Sequence, residues 1–327
     1  GAERLPGRTM KRTKGHGFIE LERPLAPGVN RVDANDPTFS DLAGVLTGMK
    51  PVTYTDCAPA ELPRLRTLCE KLKLKLLLPE EFLGKKGPHF RGTKKMVLLG
   101  KAPAKLEKAA RAWDEVSTGI EWGEFLGYPA CCAAEYSRWY EENAGKARRA
   151  DIIGSIFGRT KKRAGLDFRL NNVFNYFSRM NFDDAADVAS YEKLIGLNRE
   201  LNLPFKHVVS WHPCSYDCAE SARKAGVILA FMKHPAPAYA AGLESLLAKP
   251  VIFWDKFKYA FVDGVVSGES VTYKAVAAPR SLLGDKLYKL LSCCDGLKTS
   301  KGGTGFYRKG KLALTAPGPA PVLLDFR

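Results

Sequence analysis

The 327-residue chain has no apolar run of about 20 residues, which excludes a helical membrane span. It shows no secretory signal pattern, so a cytoplasmic location is expected. Internal repeats and long low-complexity tracts are absent, which removes solenoid and propeller architectures. G-x-x-x-x-G-K-[ST] and H-E-x-x-H are both missing, so neither a P-loop nor a zincin helix is present. Lys301-Gly-Gly-Thr-Gly305 is glycine-rich but follows no strand–loop–helix pattern, and it reads as a plain loop. The chain starts at Gly1 rather than Met, and its first dozen residues are expected to be a processed, flexible tail.

Negative charge is also in short supply. Against 51 Lys and Arg stand 35 Asp and Glu, a net charge of +16. The basic residues gather at Lys85–Lys86, Arg91/Lys94/Lys95, Lys146/Arg148/Arg149, Arg159/Lys161/Lys162/Arg163 and Lys298/Lys301/Arg308/Lys309/Lys311. Such a field attracts polyanions, which makes RNA or another polyanion a candidate partner, and a solvated surface kept soluble by its net charge is the plainer reading. No nucleic-acid recognition motif accompanies it.

Apolar residues make up 45% of the chain, enough for two or three modest cores. The pattern predicts an α+β protein with four parts. Residues 1–50 form an N-terminal extension with few periodic signals. Residues 51–118 form a small α/β unit: strands at Pro51–Thr55, Leu74–Leu78 and Met96–Leu99, and helices at Ala58–Leu72 and Pro103–Val116. Strand–helix–strand alternation predicts a partly parallel sheet there. Residues 119–248 are mainly helical, with helices expected at Pro129–Asn143, within Asp151–Gly165, at Asp184–Leu201 and at Ser215–Met232. Residues 249–327 form a small β-rich unit. In it, Val251–Asp263 alternates as one strand, Asp263-Gly264 and Ser267-Gly268 signal turns, and Ser270–Val276 returns. Gly284–Cys294 reads as a helix and Phe306–Leu314 as a last strand.

Eight cysteines, at 57, 69, 131, 132, 214, 218, 293 and 294, exceed what a reducing compartment uses for disulfides. Two segments carry the chemistry: Leu126-Gly-Tyr-Pro-Ala-Cys-Cys132 and His212-Pro-Cys-Ser-Tyr-Asp-Cys218. Each puts thiols at a predicted helix start just after a proline, where unpaired N–H groups and the helix dipole favour thiolate, the metal-binding form. Cys214 and Cys218, four apart, would share one helix face. Adjacent Cys131 and Cys132 diverge by about 100° and converge only at a helix end. The expected site is therefore a metal centre on Cys131, Cys132, Cys214 and Cys218. A [4Fe–4S] cluster is favoured, because an adjacent pair is unusual for the small zinc tetrahedron, and Zn is the alternative. A radical-SAM triad would need a third cysteine just beyond Cys218, where Glu220 and Ser221 stand.

These two segments resemble a family of archaeal and bacterial proteins known only as a domain of unknown function. Its motifs are G-Y-P-x-C-C and, farther on, H-x-P-C-S-x-x-C. Gly127, Tyr128, Pro129, Cys131 and Cys132 fill the first, and Pro213, Cys214, Ser215 and Cys218 the second, with His212 directly before Pro213. Val97-Leu-Leu-Gly-Lys101 is also similar, so the resemblance spans about residues 95–235. It implies a metal-linked role and no established reaction.

His212 is a candidate ligand, proton donor or group behind the ligands, and Asp217 a candidate acid/base that can equally cap a helix. Asn171, Asn172 and Asn175 are expected mainly to satisfy buried backbone groups. Cys293–Cys294, Cys57 and Cys69 are expected to be packing thiols. The leading functional expectation is an enzyme, of lyase or sulfur-transfer type. It would act on a nucleotide, RNA or sulfur-containing substrate through an open iron position. An electron-transfer or redox-sensing cluster protein and a zinc-stabilised nucleic-acid-binding module are the alternatives.

Overall fold

Apolar residues in short β-prone runs separated by amphipathic helices produce an α+β molecule in which three sheets flank a helical middle. The computed structural model describes residues 17–34, 37–84, 95–114, 119–143, 151–173, 175, 207–256, 258–278 and 283–327. The helix expected at 184–201, most of the lysine-rich stretch 84–94 and the basic cluster at 146–149 lie outside the described residues.

β1 (Phe18–Glu20) and β2 (Arg31–Asp33) form an antiparallel ribbon, followed by α1 (Phe39–Leu46), whose N-cap Thr38 accepts from the Asp41 N–H. The segment 37–46 showed little periodicity because nearly every residue of α1 is buried, so no polar face marks it. Next come β3 (Val52–Cys57), α2 (Leu62–Lys71), β4 (Lys75–Leu77), α3 (Pro79–Leu83), β5 (Lys95–Gly100) and α4 (Pro103–Asp114). The expected strands and helices of this unit are therefore present. The sheet is not partly parallel, however. Its order is β3-β5-β4, with both neighbours antiparallel to β5. The β3–α2–β4 crossover leaves a gap one strand wide, and β5 fills it from the opposite direction.

The helical middle comprises α5 (Gly119–Phe125), α6 (Ala130–Asn143), α7 (Ile152–Arg159), a short 3-10 turn (Phe168–Leu170), α8 (Ala219–Lys233) and α9 (Pro237–Leu247). α8 packs against α1, α9 and the 3-10 turn. The largest core joins α6, α7, the 3-10 turn, α8 and α9 to α1, β1, β2 and α2 and to the Val251, Phe253, Tyr259 and Phe261 face of the C-terminal sheet. A separate core lies between β3/β5 and α4, around Val52, Leu98 and Leu106.

The C-terminal part is larger than the small unit expected. β6 (Val251–Asp255), β7 (Lys258–Ser267), β8 (Ser270–Ala277), β9 (Gly296–Ser300), β10 (Gly303–Arg308), β11 (Lys311–Pro317) and β12 (Val322–Leu324) form a seven-stranded antiparallel sheet, with α10 (Asp285–Cys293) between β8 and β9. Val251–Asp263 is a hairpin rather than one strand: Phe253 pairs with Tyr259 and Val251 with Phe261, so the aromatic alternation survives the reversal. Asp263-Gly264 is a bulge inside β7 and not a turn, since pairing with β8 continues past it with a register shift, and a Cβ at Gly264 would meet the Thr272 carbonyl oxygen at 2.1 Å. The predicted last strand is the β10–β11 hairpin, and β9 and β12 were not foreseen.

Only residues 318–321 link β11 at one edge to β12 at the other. That link reaches at most about 18 Å, whereas seven flat strands would separate the edges by roughly 29 Å. The sheet must therefore curl toward a barrel, closed around Ile252, Ala260, Val262, Leu297 and Phe306 with α10 laid against them. The chain end then docks on the helical part, where Leu166 N–H donates to the Asp325 carbonyl and Arg327 N–H to the Leu166 carbonyl.

Candidate metal centre

The first cysteine segment is built from two helix ends set back to back. α5 closes with paired bonds from Gly127 N–H to the Glu124 carbonyl and from Tyr128 N–H to the Gly123 carbonyl. This double bond pattern is a Schellman cap and needs a left-handed residue, which Gly127 supplies at φ +76. A Cβ there would also lie 2.5 Å from the Met49 carbonyl oxygen. Pro129 then opens α6, and its carbonyl accepts the amides of Cys132 and Ala133. Both cysteines thus occupy the first turn of α6, as expected. Lys224 of α8 donates to the Gly127 carbonyl (2.8 Å) and fixes this turn against α8.

The second segment differs from the sequence expectation. α8 begins at Ala219 with Cys218 as its N-cap, not at Ser215. Residues 214–217 are held out of the helix by outside partners. Tyr216 N–H donates to Thr160 Oγ1 (3.0 Å), and Asp217 accepts the amides of Lys161 and Lys162 and the Ser215 hydroxyl. Cys214 and Cys218 therefore do not share a helix face. A loop brings them together.

The four thiols nevertheless meet. All four Sγ atoms lie within 4.8 Å of one another, a group positioned to hold a metal ion. Cys131 and Cys132 are 3.9 Å apart, and each is 3.7 Å from Cys218. None is joined in a disulfide. Cys131 faces solvent, Cys214 is half-buried, and Cys132 and Cys218 are buried.

The surroundings suit thiolate. The Cys214 N–H points at Cys132 Sγ (3.2 Å), and the Ser221 hydroxyl, which accepts from Trp211 Nε1 (2.9 Å), also contacts that sulfur (3.2 Å). Hydrogen bonds from the Cys132 and Cys214 thiols push the Cys218 thiol well below its usual range, and the Ser221 N–H adds to this. Cys132 is correspondingly pushed up, by its bonds to Cys214 and Cys218 and by burial. Metal binding takes the thiolate form and displaces the protons that remain on the group.

His212 is not one of the ligating group. It is buried, stacks on Tyr136 of α6 at 5.7 Å, and accepts from Asn172 Nδ2, while the Tyr216 hydroxyl donates to Asn172 Oδ1. It stands behind the cysteine loop and sets its position. The Asp217 carboxyl is held below its usual range by the Ser215 hydroxyl and the two backbone amides, so the side chain pins the 160–162 turn to the cysteine loop. Asn171 donates to the Leu247 carbonyl and Asn175 to the Ser210 carbonyl, satisfying backbone as expected. Cys57 and Cys69 are buried packing thiols, whereas Cys293 is exposed at the end of α10 and Cys294 only half-buried.

Ser221 and Glu135 were not expected at the site, and Arg159, expected only as part of a basic cluster, has a structural role there. Ser221 lies three residues after Cys218, and Glu135 three after Cys132, so helical spacing alone could have singled them out. Arg159 pairs with Glu135 (2.9 Å) and donates to the Cys214 carbonyl (2.9 Å), which ties α6, α7 and the cysteine loop together. Lys161, Lys162 and Arg163 of the same basic cluster remain exposed beside it. Comparison with protein-family models, curated proteins and solved structures finds no match to this chain.

Proposed function

We propose that the chain is a zinc-stabilised nucleic-acid-binding protein, with one zinc ion held by Cys131, Cys132, Cys214 and Cys218. The sulfur spacing carries this reading. Four thiolates about 2.3 Å from one tetrahedral ion lie about 3.8 Å apart. The contacts among Cys131, Cys132 and Cys218, at 3.7–3.9 Å, match that edge, and all four sulfurs, Cys214 included, lie within 4.8 Å of one another. A cubane cluster binds its thiolates on four different irons and spreads them on the order of 6 Å apart, so the [4Fe–4S] cluster favoured by the cysteine pattern has less support. Adjacency of Cys131 and Cys132 is no obstacle, since the first turn of α6 lets both sulfurs reach one point.

Four protein thiolates complete a tetrahedron and leave no position for substrate, which favours an organising role over catalysis. The ion would join α6 to the cysteine loop and the start of α8, and Asp217 of that loop holds the backbone amides of the exposed Lys161 and Lys162, with exposed Arg163 next in the chain. Those residues and the net charge of +16 support a polyanionic partner.

Metal analysis of anaerobically purified protein tests the first half. One zinc per chain and no absorbance near about 400 nm is expected, and a brown protein with several irons would restore the cluster reading. Titration with RNA at roughly 50 mM salt tests the second half, and absence of binding by folded, metal-replete protein would reject it.

A further inference from the structure

The outer face of the curled sheet has a composition that the metal centre does not explain. Strand pairing sets Val265, Thr272, Gly296, Tyr307 and Leu312 in one row across β7, β8, β9, β10 and β11. The adjoining row runs Ser267, Ser270, Lys298 and Gly305. Alternation turns Val271, Leu297 and Phe306 into the core, so both rows face outward. Val265 and Leu312 are the two most exposed large apolar side chains among the described residues, at 59% and 56%.

Small residues surround one aromatic ring. A Cβ on Gly305 would lie 3.1 Å from Tyr307 Cε2 and 3.2 Å from Leu312 Cδ1, and one on Gly296 3.5 Å from Tyr307 Cβ. The Tyr307 ring therefore lies across the Gly305 backbone, half-buried, with Leu312 on one side and the buried Gly296 and the Thr272 methyl on the other. Lys274, Lys298, Lys301, Arg308, Lys309 and Lys311 are exposed around this surface. Residues 249–327 contain 13 Lys and Arg against 6 Asp and Glu.

We propose that this face binds single-stranded nucleic acid. Tyr307 is the platform on which one base stacks, and Lys298 and the lysines at the strand ends meet backbone phosphates. The class of partner rests on the nucleic-acid reading above; the location and the single-stranded form are new. An aromatic ring lying along a glycine-lined sheet presents its π-face to any base, and flanking lysines track a phosphate chain. A duplex offers no unstacked base to such a ring. A second copy of the chain would bring a surface of the same positive sign, which opposes self-association through this face.

The test uses the full, metal-loaded chain and fluorescence anisotropy with an oligouridylate of about 12 nucleotides and a duplex RNA of the same length. Tyr307→Ala should weaken oligouridylate binding roughly ten-fold, Tyr307→Phe should retain it, and duplex affinity should change little. Lys298→Ala should reduce the slope of log affinity against log salt by about 0.7. Ultraviolet cross-linking should map to Tyr307. If the native chain binds neither RNA, the nucleic-acid reading fails and this inference with it. If it binds RNA, but Tyr307→Ala and Lys298→Ala variants with native circular dichroism bind oligouridylate unchanged, the reading stands and this face is overturned. Overturning would follow equally from dimerisation that Leu312→Lys abolishes in sedimentation, or from a Tyr307→Ala loss seen only with phosphatidylserine vesicles.

Discussion

Replacing Cys131 and Cys132 one at a time separates ligation from packing. Both substitutions to Ala remove one of four thiolates, so both should lose the metal. Binding at a free metal concentration 1,000 times the dissociation constant stabilises a fold by about 4.1 kcal/mol. With an unfolding entropy near 2.1 cal/mol/K per residue, that is roughly 6 °C of Tm for a chain of this length. The two variants should then diverge. Cys131 faces solvent and its removal orphans nothing buried, so Cys131→Ala should melt like chelated wild type. Cys132 Sγ is the partner of the Cys214 N–H and the Ser221 hydroxyl, and losing it leaves buried donors unpaired, a further cost of about 1–3 kcal/mol each. Cys132→Ala should therefore melt several degrees below chelated wild type. The assay is thermal melting by circular dichroism with and without chelator, alongside metal content. Wild type should respond to chelator and neither variant should. A Cys131→Ala protein that keeps its metal and shifts with chelator as wild type does would refute ligation by that residue.

Other expectations follow from the same geometry. Metal loss should be equal for Cys131→Ala, Cys132→Ala, Cys214→Ser and Cys218→Ser and absent for Cys293→Ser. Retention in one of the four would mean a site with an open position. Metal-edge X-ray absorption should show four sulfurs at about 2.3 Å and no metal–metal distance. Among the described residues neither ring nitrogen of the buried His207 finds a hydrogen-bond partner, and desolvation lowers its pKa to about 4, below the 6.5 of the unfolded chain, with Asp41 opposing and Lys50 assisting. Between pH 4 and 6.5 the unfolded state binds more protons, so stability is complete above that window and falls by about 2 kcal/mol at pH 5. Denaturant melts of the His207→Leu variant should lack that slope, and an unchanged slope would assign it elsewhere. Gly127→Ala, which forces φ +76 and a 2.5 Å approach to Met49 on a Cβ, should cost about 2 kcal/mol or more and lower metal occupancy. Reversing Lys161, Lys162 and Arg163 while sparing Arg159 should weaken RNA binding for every sequence tested and flatten its salt dependence, and unaltered affinity would remove this cluster from the interface.

Local chemistry was legible where it depends on neighbours in the chain. The Pro129 helix start, the three strands and the two longer helices between 51 and 114, and the four cysteines themselves could be read from residue type and spacing, because turns, caps and periodicity act over a few residues. α1 was not legible, since a helix buried on nearly all sides has no stripe. Contacts distant in sequence belonged to the tertiary structure. β5 enters between β3 and β4 because the crossover left that gap. Residues 214–217 are kept out of α8 by Thr160 and the amides of 161–162. The sulfurs of Cys131, Cys132 and Cys218 close to 3.7–3.9 Å because Lys224 ties α8 to the turn before α6 and Arg159 ties α6 to the cysteine loop. The cysteine pattern alone determined which atoms can bind a metal. How closely those atoms gather is a distance between segments more than 80 residues apart, and only packing decides that distance.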